Sequence, residues 1–247
     1  MNNLGELMIF DNILKSRINS NLTRINEDRL YKKYGDCSNI SINVKLLIIT
    51  DTHGYLAIKP ELQERLKSIT NYDLCCTLGD VTYSDYEEIL KYVSKDKIVG
   101  LLGNHDGLEV LKHYSINDLN GRVVDVNGLK IGGIQGSFRY KNGEYPSFTH
   151  SESIDFLNKM EKVDILLSHS GPFWNYNDDV VHNGLKGITN YLYKNKVPLN
   201  IHGHLHKNSL KMLKNGTKVQ CVYGVELLEI KDGEIKEFFN ESSFFRL

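Results

Sequence analysis

Residues 44–53 read VKLLIITDTH. After Lys45 the apolar run shows no polar alternation and is rich in β-branched side chains, which describes a strand buried on both faces. The run then stops at an acid and a histidine. Four later stretches have the same apolar character: YDLCCTL (72–78), IVGLL (98–102), VDILLS (163–168) and LNIHG (199–203). Between the first two, PELQERLKSI (60–69) puts Pro at a first helical position and Leu62, Leu66 and Ile69 on one face. A second helix is expected to open at Thr149, where Thr149-x-x-Glu152 forms a capping box ahead of Ile154, Phe156, Leu157 and Met160. A third covers about residues 184–194. Asn127-Gly128 inside RVVDVNGLKIGGI and Asn215-Gly216 inside LKMLKNGTKVQCVYG mark hairpins. Strands alternating with helices, followed by hairpins, predict an α/β fold with two sheets that are mixed rather than purely parallel.

The chain has 247 residues, 40% hydrophobic and 25% charged, an ordinary globular composition able to bury one full core. With 30 Lys+Arg against 31 Asp+Glu the net charge is -1, so long nucleic acid is not favoured as a partner. No apolar run approaches the roughly 20 residues that span a bilayer. The first residues, MNNLGELMIFDN, lack the basic and apolar regions of a secretory signal, which points to the cytoplasm. Cys75 and Cys76 read as small core residues, and without a Cys-x-x-Cys pair neither disulfides nor a structural zinc is expected. Leu7, Phe10, Leu14, Ile18, Leu22, Ile25 and Leu30 form an imperfect helical stripe. Residues 1–40 are therefore read as a helical extension packed on the main domain, 41–247, with an oligomerisation arm as the alternative.

The residues able to bind metal fall, in nearly every case, just after a strand. Asp51 and His53 follow the first, Asp80 the second, Asn104, His105 and Asp106 the third, His169 the fourth, and His204 and His206 the fifth. In an open α/β sheet the carboxyl ends of the strands share one edge, so dispersed residues converge there. The i, i+2 spacing of Asp51/His53 and His204/His206 lets one extended segment present two side chains on the same side. Gly79, Gly103 and Gly203 precede candidates, where a tight turn or a close backbone approach excludes a Cβ. Mixed nitrogen and oxygen donors without thiolate point to a first-row divalent ion and away from calcium. Seven such groups serve two ions if one carboxylate, Asp80, bridges; a pair about 3.5–4 Å apart suits in-line displacement at phosphorus.

Asp51-Thr52-His53, Gly79-Asp80, Gly103-Asn104-His105-Asp106, His169 and Gly203-His204-Leu205-His206, in that order, resemble the calcineurin-like metallophosphoesterase superfamily. The resemblance implies a four-layer αββα sandwich of two mixed sheets flanked by helices. It implies that Asp51, His53, Asp80 and His206 hold one metal and Asp80, Asn104, His169 and His204 the other, with Mn the leading candidate and Fe, Zn, Ni or Mg alternatives. It further implies attack by a metal-bridging hydroxide on a phosphoester, with His105 free to act as the acid. Asp106, beside His105, is a candidate to tune that imidazole. SHSGPFWNYNDDVVHNG (168–184) also looks like the family, making His182 a candidate substrate-binding group beside Asn104.

One departure narrows the substrate. The serine/threonine protein phosphatases of the family carry G-D-x-x-D-R-G, whereas here Tyr83 and Ser84 stand where that Asp and Arg would be. The missing guanidinium removes a bidentate clamp for a phosphomonoester dianion. The expected activity is therefore a phosphodiesterase acting on a small or nucleotide-type phosphoester; a phosphomonoesterase or a non-catalytic binding module are the alternatives. His113 and His150 fit no motif and read as surface residues, and His202 reads as core. Phe173, Trp174 and Tyr176 read as loop anchors rather than a stacking platform.

Overall fold

β1 (Val44–Thr50) forms where the apolar run places it, buried throughout except at Lys45. The computed structural model describes residues 27–37, 42–173 and 180–237. β1 pairs in parallel with β2 (Leu74–Thr77), which is followed outward by β3 (Ile98–Gly100) and β4 (Asn117–Asp118), both also parallel. On its other side β1 pairs antiparallel with β13 (Gly224–Lys231), and β13 with β14 (Glu234–Glu237), giving six strands in the order β14-β13-β1-β2-β3-β4.

A second six-stranded sheet has the order β11-β12-β10-β9-β6-β5. Its parallel centre is β6 (Leu129–Ile134), β9 (Ile165–Ser168), β10 (Leu199–His202) and β12 (Lys218–Cys221). β5 (Val123–Val126) and β11 (Ser209–Met212) close its edges as antiparallel hairpin strands. The β5–β6 turn is Asn127-Gly128, both at positive φ, as a two-residue hairpin requires. A small ribbon, β7 (Ser137–Phe138) with β8 (Ser147–Phe148), stands apart.

Period-two alternation distributes each strand between two cores. Leu46, Ile48 and Cys76 face the other sheet and pack with Ile131, Ile165, Leu167 and Ile201. Leu47, Ile49 and Cys75 point the opposite way, against Leu56 of α2 (Tyr55–Ile58), Leu66 of α3 (Pro60–Ser68), Tyr86 of α4 (Tyr83–Ile89) and Val110 of α5 (Val110–His113). On the far side of the second sheet, Leu166 packs with Leu157 of α6 (His150–Leu157) and with Ile188 and Leu192 of α7 (Lys186–Asn195). The three cores separate four layers, so the αββα sandwich of two mixed sheets is the architecture observed.

The capping box at Thr149 is present in both directions, the Glu152 amide donating to Thr149 Oγ1 at 3.2 Å and the Thr149 amide to Glu152 Oε2 at 2.8 Å. Cys75 and Cys76 are buried free thiols, as expected of core residues. Of the N-terminal stripe, residues 27–34 are helical (α1): Leu30 is buried in the outer core of the second sheet, and the Tyr193 hydroxyl donates to Glu27 at 2.6 Å. The rest of the stripe, Leu7 to Ile25, where an oligomerisation arm would begin, lies outside the described residues. No helix among the described residues is long and apolar enough to cross a membrane.

Two parts of the architecture are absent from the sequence reading. β13 is a full neighbour of β1, although its sequence, GVELLEIK, lacks the unbroken apolar run of the other central strands. α4 carries too few apolar residues to show a stripe and is started by its own capping box, Thr82 with Asp85.

Candidate metal centre

The loops that leave β1, β2 and β10 turn sharply as soon as the strand ends. Asp51, His53, Asp80, His204 and His206 all have positive φ, between 47° and 69°. Non-glycine residues occupy that region at a cost of order 1–3 kcal/mol each, so the surrounding structure must hold them there. The Asp51 amide donates to the Gly79 carbonyl at 3.0 Å, the His53 amide to the Asp80 carbonyl at 3.0 Å, and the Gly203 amide to the His169 carbonyl at 3.0 Å. All three expected glycines are required by close approach: a Cβ on Gly79 would lie 2.3 Å from the Gly103 amide nitrogen, one on Gly103 2.1 Å from Asp80 Oδ1, and one on Gly203 2.5 Å from Asp51 Oδ2.

Two clusters result, Asp51, His53, Asp80 and His206 in one and Asp80, His169 and His204 in the other, each with candidate donor atoms within 4.8 Å of one another. Asp80 is common to both. Its Oδ2 lies 3.6 Å from His53 Nε2 and 3.6 Å from His169 Nε2, while its Oδ1 accepts the His105 amide at 2.9 Å. Asn104 joins the second cluster, its Oδ1 3.0 Å from His169 Nε2.

The proton positions argue for cations. His169 Nδ1 faces the Leu78 carbonyl at 2.8 Å, which can only accept, so Nδ1 carries the proton and Nε2 a lone pair. That lone pair and the Asn104 carbonyl oxygen then confront each other at 3.0 Å as two acceptors. His53 and His206 bring their Nε2 atoms to within 3.1 Å of each other. His204 Nε2–H donates to the Val181 carbonyl at 3.0 Å, which leaves the ring's lone pair on Nδ1. Asp51 Oδ2 accepts from the His204 amide at 2.8 Å and the Thr50 hydroxyl at 2.9 Å, yet Oδ1 is buried with no hydrogen-bond partner. Acceptors converging in a desolvated pocket with a carboxylate oxygen unpaired is what a divalent cation resolves.

The electrostatics agree. Burial, and then the neighbouring Asp80, push the Asp51 carboxyl well above the ordinary carboxylate range. Burial also pushes Asp80 up, but the His169 imidazole, the His105 amide and His53 outweigh it and leave Asp80 below its usual value. Burial lowers His53, His169 and His206, and together with His169 takes His204 down to about 3. The imidazoles are therefore neutral near pH 7 and offer lone pairs, so the donor set fits a pair of divalent ions.

His105 belongs to neither cluster. It is exposed, and its ring stands edge-on to His53 with centroids 5.5 Å apart. His182 is half-buried with its ring 4.9 Å from that of His204, so the downstream loop reaches the second cluster. The hydrogen bonds of Asp106 go to backbone amides. Its carboxylate accepts the amides of Asp80 and Gly103 at 2.7 Å each and of Val81 at 2.9 Å, clamping the two ligand loops together. Asp106→Ala strands three amide donors and is expected to cost about 2 kcal/mol of stability, read as a lower denaturant midpoint of the chelated protein.

Three further groups escape the motif reading. Asp85, fully buried, accepts from the Thr52 hydroxyl at 2.8 Å and from the amides of Gly54 at 2.7 Å and Leu56 at 3.0 Å, holding the loop that carries His53. Thr82-x-x-Asp85 was its available signal, as a capping box. Tyr140 meets Asn104, and Tyr223 stacks on His206 with centroids 5.4 Å apart; neither has a sequence signal, because both are remote from the motifs. His150 corrects the surface reading: it is half-buried between the rings of Phe138 and Phe173, at 4.6 and 5.0 Å, and burial takes its imidazole down to about 4. His113 is exposed and His202 buried, as read. Phe173 packs against His150 as an anchor, while Trp174 and Tyr176 lie outside the described residues.

Comparison with known families decides what this arrangement is. The sequence profile of the calcineurin-like phosphoesterases matches residues 44–208, from β1 through the His204/His206 loop. The chain belongs to that family. This calcineurin-like phosphoesterase is a metal-dependent enzyme, and its buried Asp/His cluster binds divalent metal. Solved structures share the fold. TT1561 of Thermus thermophilus superposes with a TM-score of 0.54 at 15% identity, over 79% of this chain and 98% of that one. A phosphopantetheinyl hydrolase from Mycobacterium tuberculosis gives 0.52 at 13% identity, over 75% and 91%. A putative 5'-nucleotidase from Staphylococcus aureus gives 0.55 at 16% identity, over 83% of this chain but only 56% of its own length. No curated protein matches the sequence.

Proposed function

We propose that this calcineurin-like phosphoesterase is a dinuclear phosphodiesterase acting on a small or nucleotide-type phosphoester. The observation that carries the dinuclear reading is the position of Asp80 Oδ2, 3.6 Å from an imidazole of each cluster. Asp51, His53, Asp80 and His206 would hold one ion, and Asp80, Asn104, His169 and His204 the other, with Mn the ion proposed. The bound pair would supply Lewis acidity, lowering the pKa of water and neutralising charge at phosphorus. The chain's own residues do the rest. Asp80 and Asp51 provide the negative charge that assembles the site. His105, exposed beside His53, donates a proton to the departing oxygen. His182 and Asn104 line the approach for the phosphoryl oxygens.

The preference for diesters is supported by what is missing. Tyr83 and Ser84 replace the Asp and Arg of the protein phosphatase pattern, and two of the described arginines are engaged elsewhere, Arg65 with Glu226 at 3.1 Å and Arg139 with Glu152 at 2.9 Å. A diester carries one negative charge fewer than a monoester dianion and depends less on a guanidinium clamp. Chelated protein given Mn²⁺ is expected to cleave bis(p-nitrophenyl) phosphate faster than p-nitrophenyl phosphate. Cleavage of the monoester alone would overturn the diester assignment in favour of a phosphatase.

A further inference from the structure

The ribbon of β7 and β8 carries a loop whose construction has no part in the ligand motifs. Gly136, at its root, joins both halves of the second cluster: its amide donates to the Leu102 carbonyl at 2.7 Å, just before Asn104, and its carbonyl accepts the Ser170 amide at 3.3 Å, just after His169. A side chain there is excluded, since a Cβ would lie 2.3 Å from the Pro146 carbonyl oxygen, and φ is +70°. The loop is then braced twice. Arg139 pairs with Glu152 at 2.9 Å, tying it to α6, and the Tyr145 hydroxyl accepts the amides of Tyr140 and Lys141 at 3.0 and 3.2 Å. Tyr140 and Tyr145 have ring centroids 5.6 Å apart, and the Lys141 ammonium lies 5.3 Å from the first ring and 4.9 Å from the second. The product of this scaffolding is one contact with the centre: the Tyr140 hydroxyl accepts from Asn104 Nδ2 at 3.4 Å.

We propose that Tyr140 is a positioning residue for the second metal ion, holding the Asn104 amide with its carbonyl oxygen turned toward His169 and Asp80. The proposal rests on the reading that Asp80, Asn104, His169 and His204 hold one ion. An amide whose nitrogen has no partner is free to rotate about its last side-chain bond, and a rotated amide presents N–H donors, which repel a cation. Anchoring the nitrogen on Tyr140 selects the rotamer that offers oxygen. Partners of this kind are worth roughly 10–100-fold in metal affinity.

The test is calorimetric titration of the chelated full chain with Mn²⁺, for wild type, Tyr140→Phe, His169→Ala and Asn104→Ala. Tyr140→Phe is expected to weaken one of the two Mn²⁺ sites about 10-fold and leave the other unchanged, with the denaturant midpoint of the chelated protein unaltered and kcat recovering at high Mn²⁺. Adding Tyr140→Phe to Asn104→Ala should weaken binding no further, since the hydroxyl acts only through that amide. Unchanged affinities in Tyr140→Phe, with His169→Ala losing one ion, would overturn the role of Tyr140 alone. If His169→Ala still binds two ions with wild-type affinity, the ligand assignment fails and the proposal fails with it.

Discussion

Asp80→Asn is expected to lower turnover about 10³-fold, more than the loss of any ligand that serves one cluster only. The substitution is nearly isosteric and its Oδ1 can still accept the His105 amide, which reaches Asp80 at 2.9 Å, so the loop has no reason to move. What disappears is the charge on Oδ2, the atom 3.6 Å from both His53 and His169. A metal pair contributes several kcal/mol of transition-state charge stabilisation, and losing about 4 kcal/mol corresponds to about 10³ in rate. His206→Ala removes a half-exposed member of one cluster only and should cost less. Metal content by elemental analysis, beside kcat under saturating Mn²⁺, checks the comparison. Near-normal content and rate in Asp80→Asn would refute the shared-carboxylate assignment.

His105→Ala should behave in the opposite sense for metal, keeping both ions while losing rate. The His105 ring is exposed and is absent from both clusters, and the part of the residue that orders the loop is its backbone amide, which alanine retains. A positioned general acid contributes typically about 10²–10⁴-fold, so a loss in that range is expected for an alkyl phosphodiester. The loss should shrink for p-nitrophenyl esters, whose leaving group departs without a proton. An equal loss across a leaving-group series would mean that His105 acts by some route other than proton donation.

How much of this was legible in the sequence depends on the range of the interaction. The five apolar runs announce the central strands because burial on both faces leaves a local signature, and the residues that follow them share a sheet edge for topological reasons. The hairpin at Asn127-Gly128 and the cap at Thr149 are likewise local. β13 was not legible, since GVELLEIK takes its place beside β1 only through pairing between distant parts of the chain, as in Leu47 with Leu227. Within the site, the motifs name residue types but not backbone conformation, so the positive φ of Asp51, His53, Asp80, His204 and His206 could not be read. Asp106 neighbours His105 in sequence, and only the fold shows its carboxylate accepting the amides of residues 80, 81 and 103. Asp85 left only a capping-box pattern with Thr82, and its contacts with the loop of His53, like the contact of Tyr140 with Asn104, form only when the chain is folded.

The most direct test of the central claim is the anomalous-scattering map of a crystal of the full chain, chelated and reloaded with Mn²⁺. The account predicts two peaks per chain, about 3.5–4 Å apart, with Asp80 within bonding distance of both. A single peak, or two peaks with Asp80 touching only one, would contradict it.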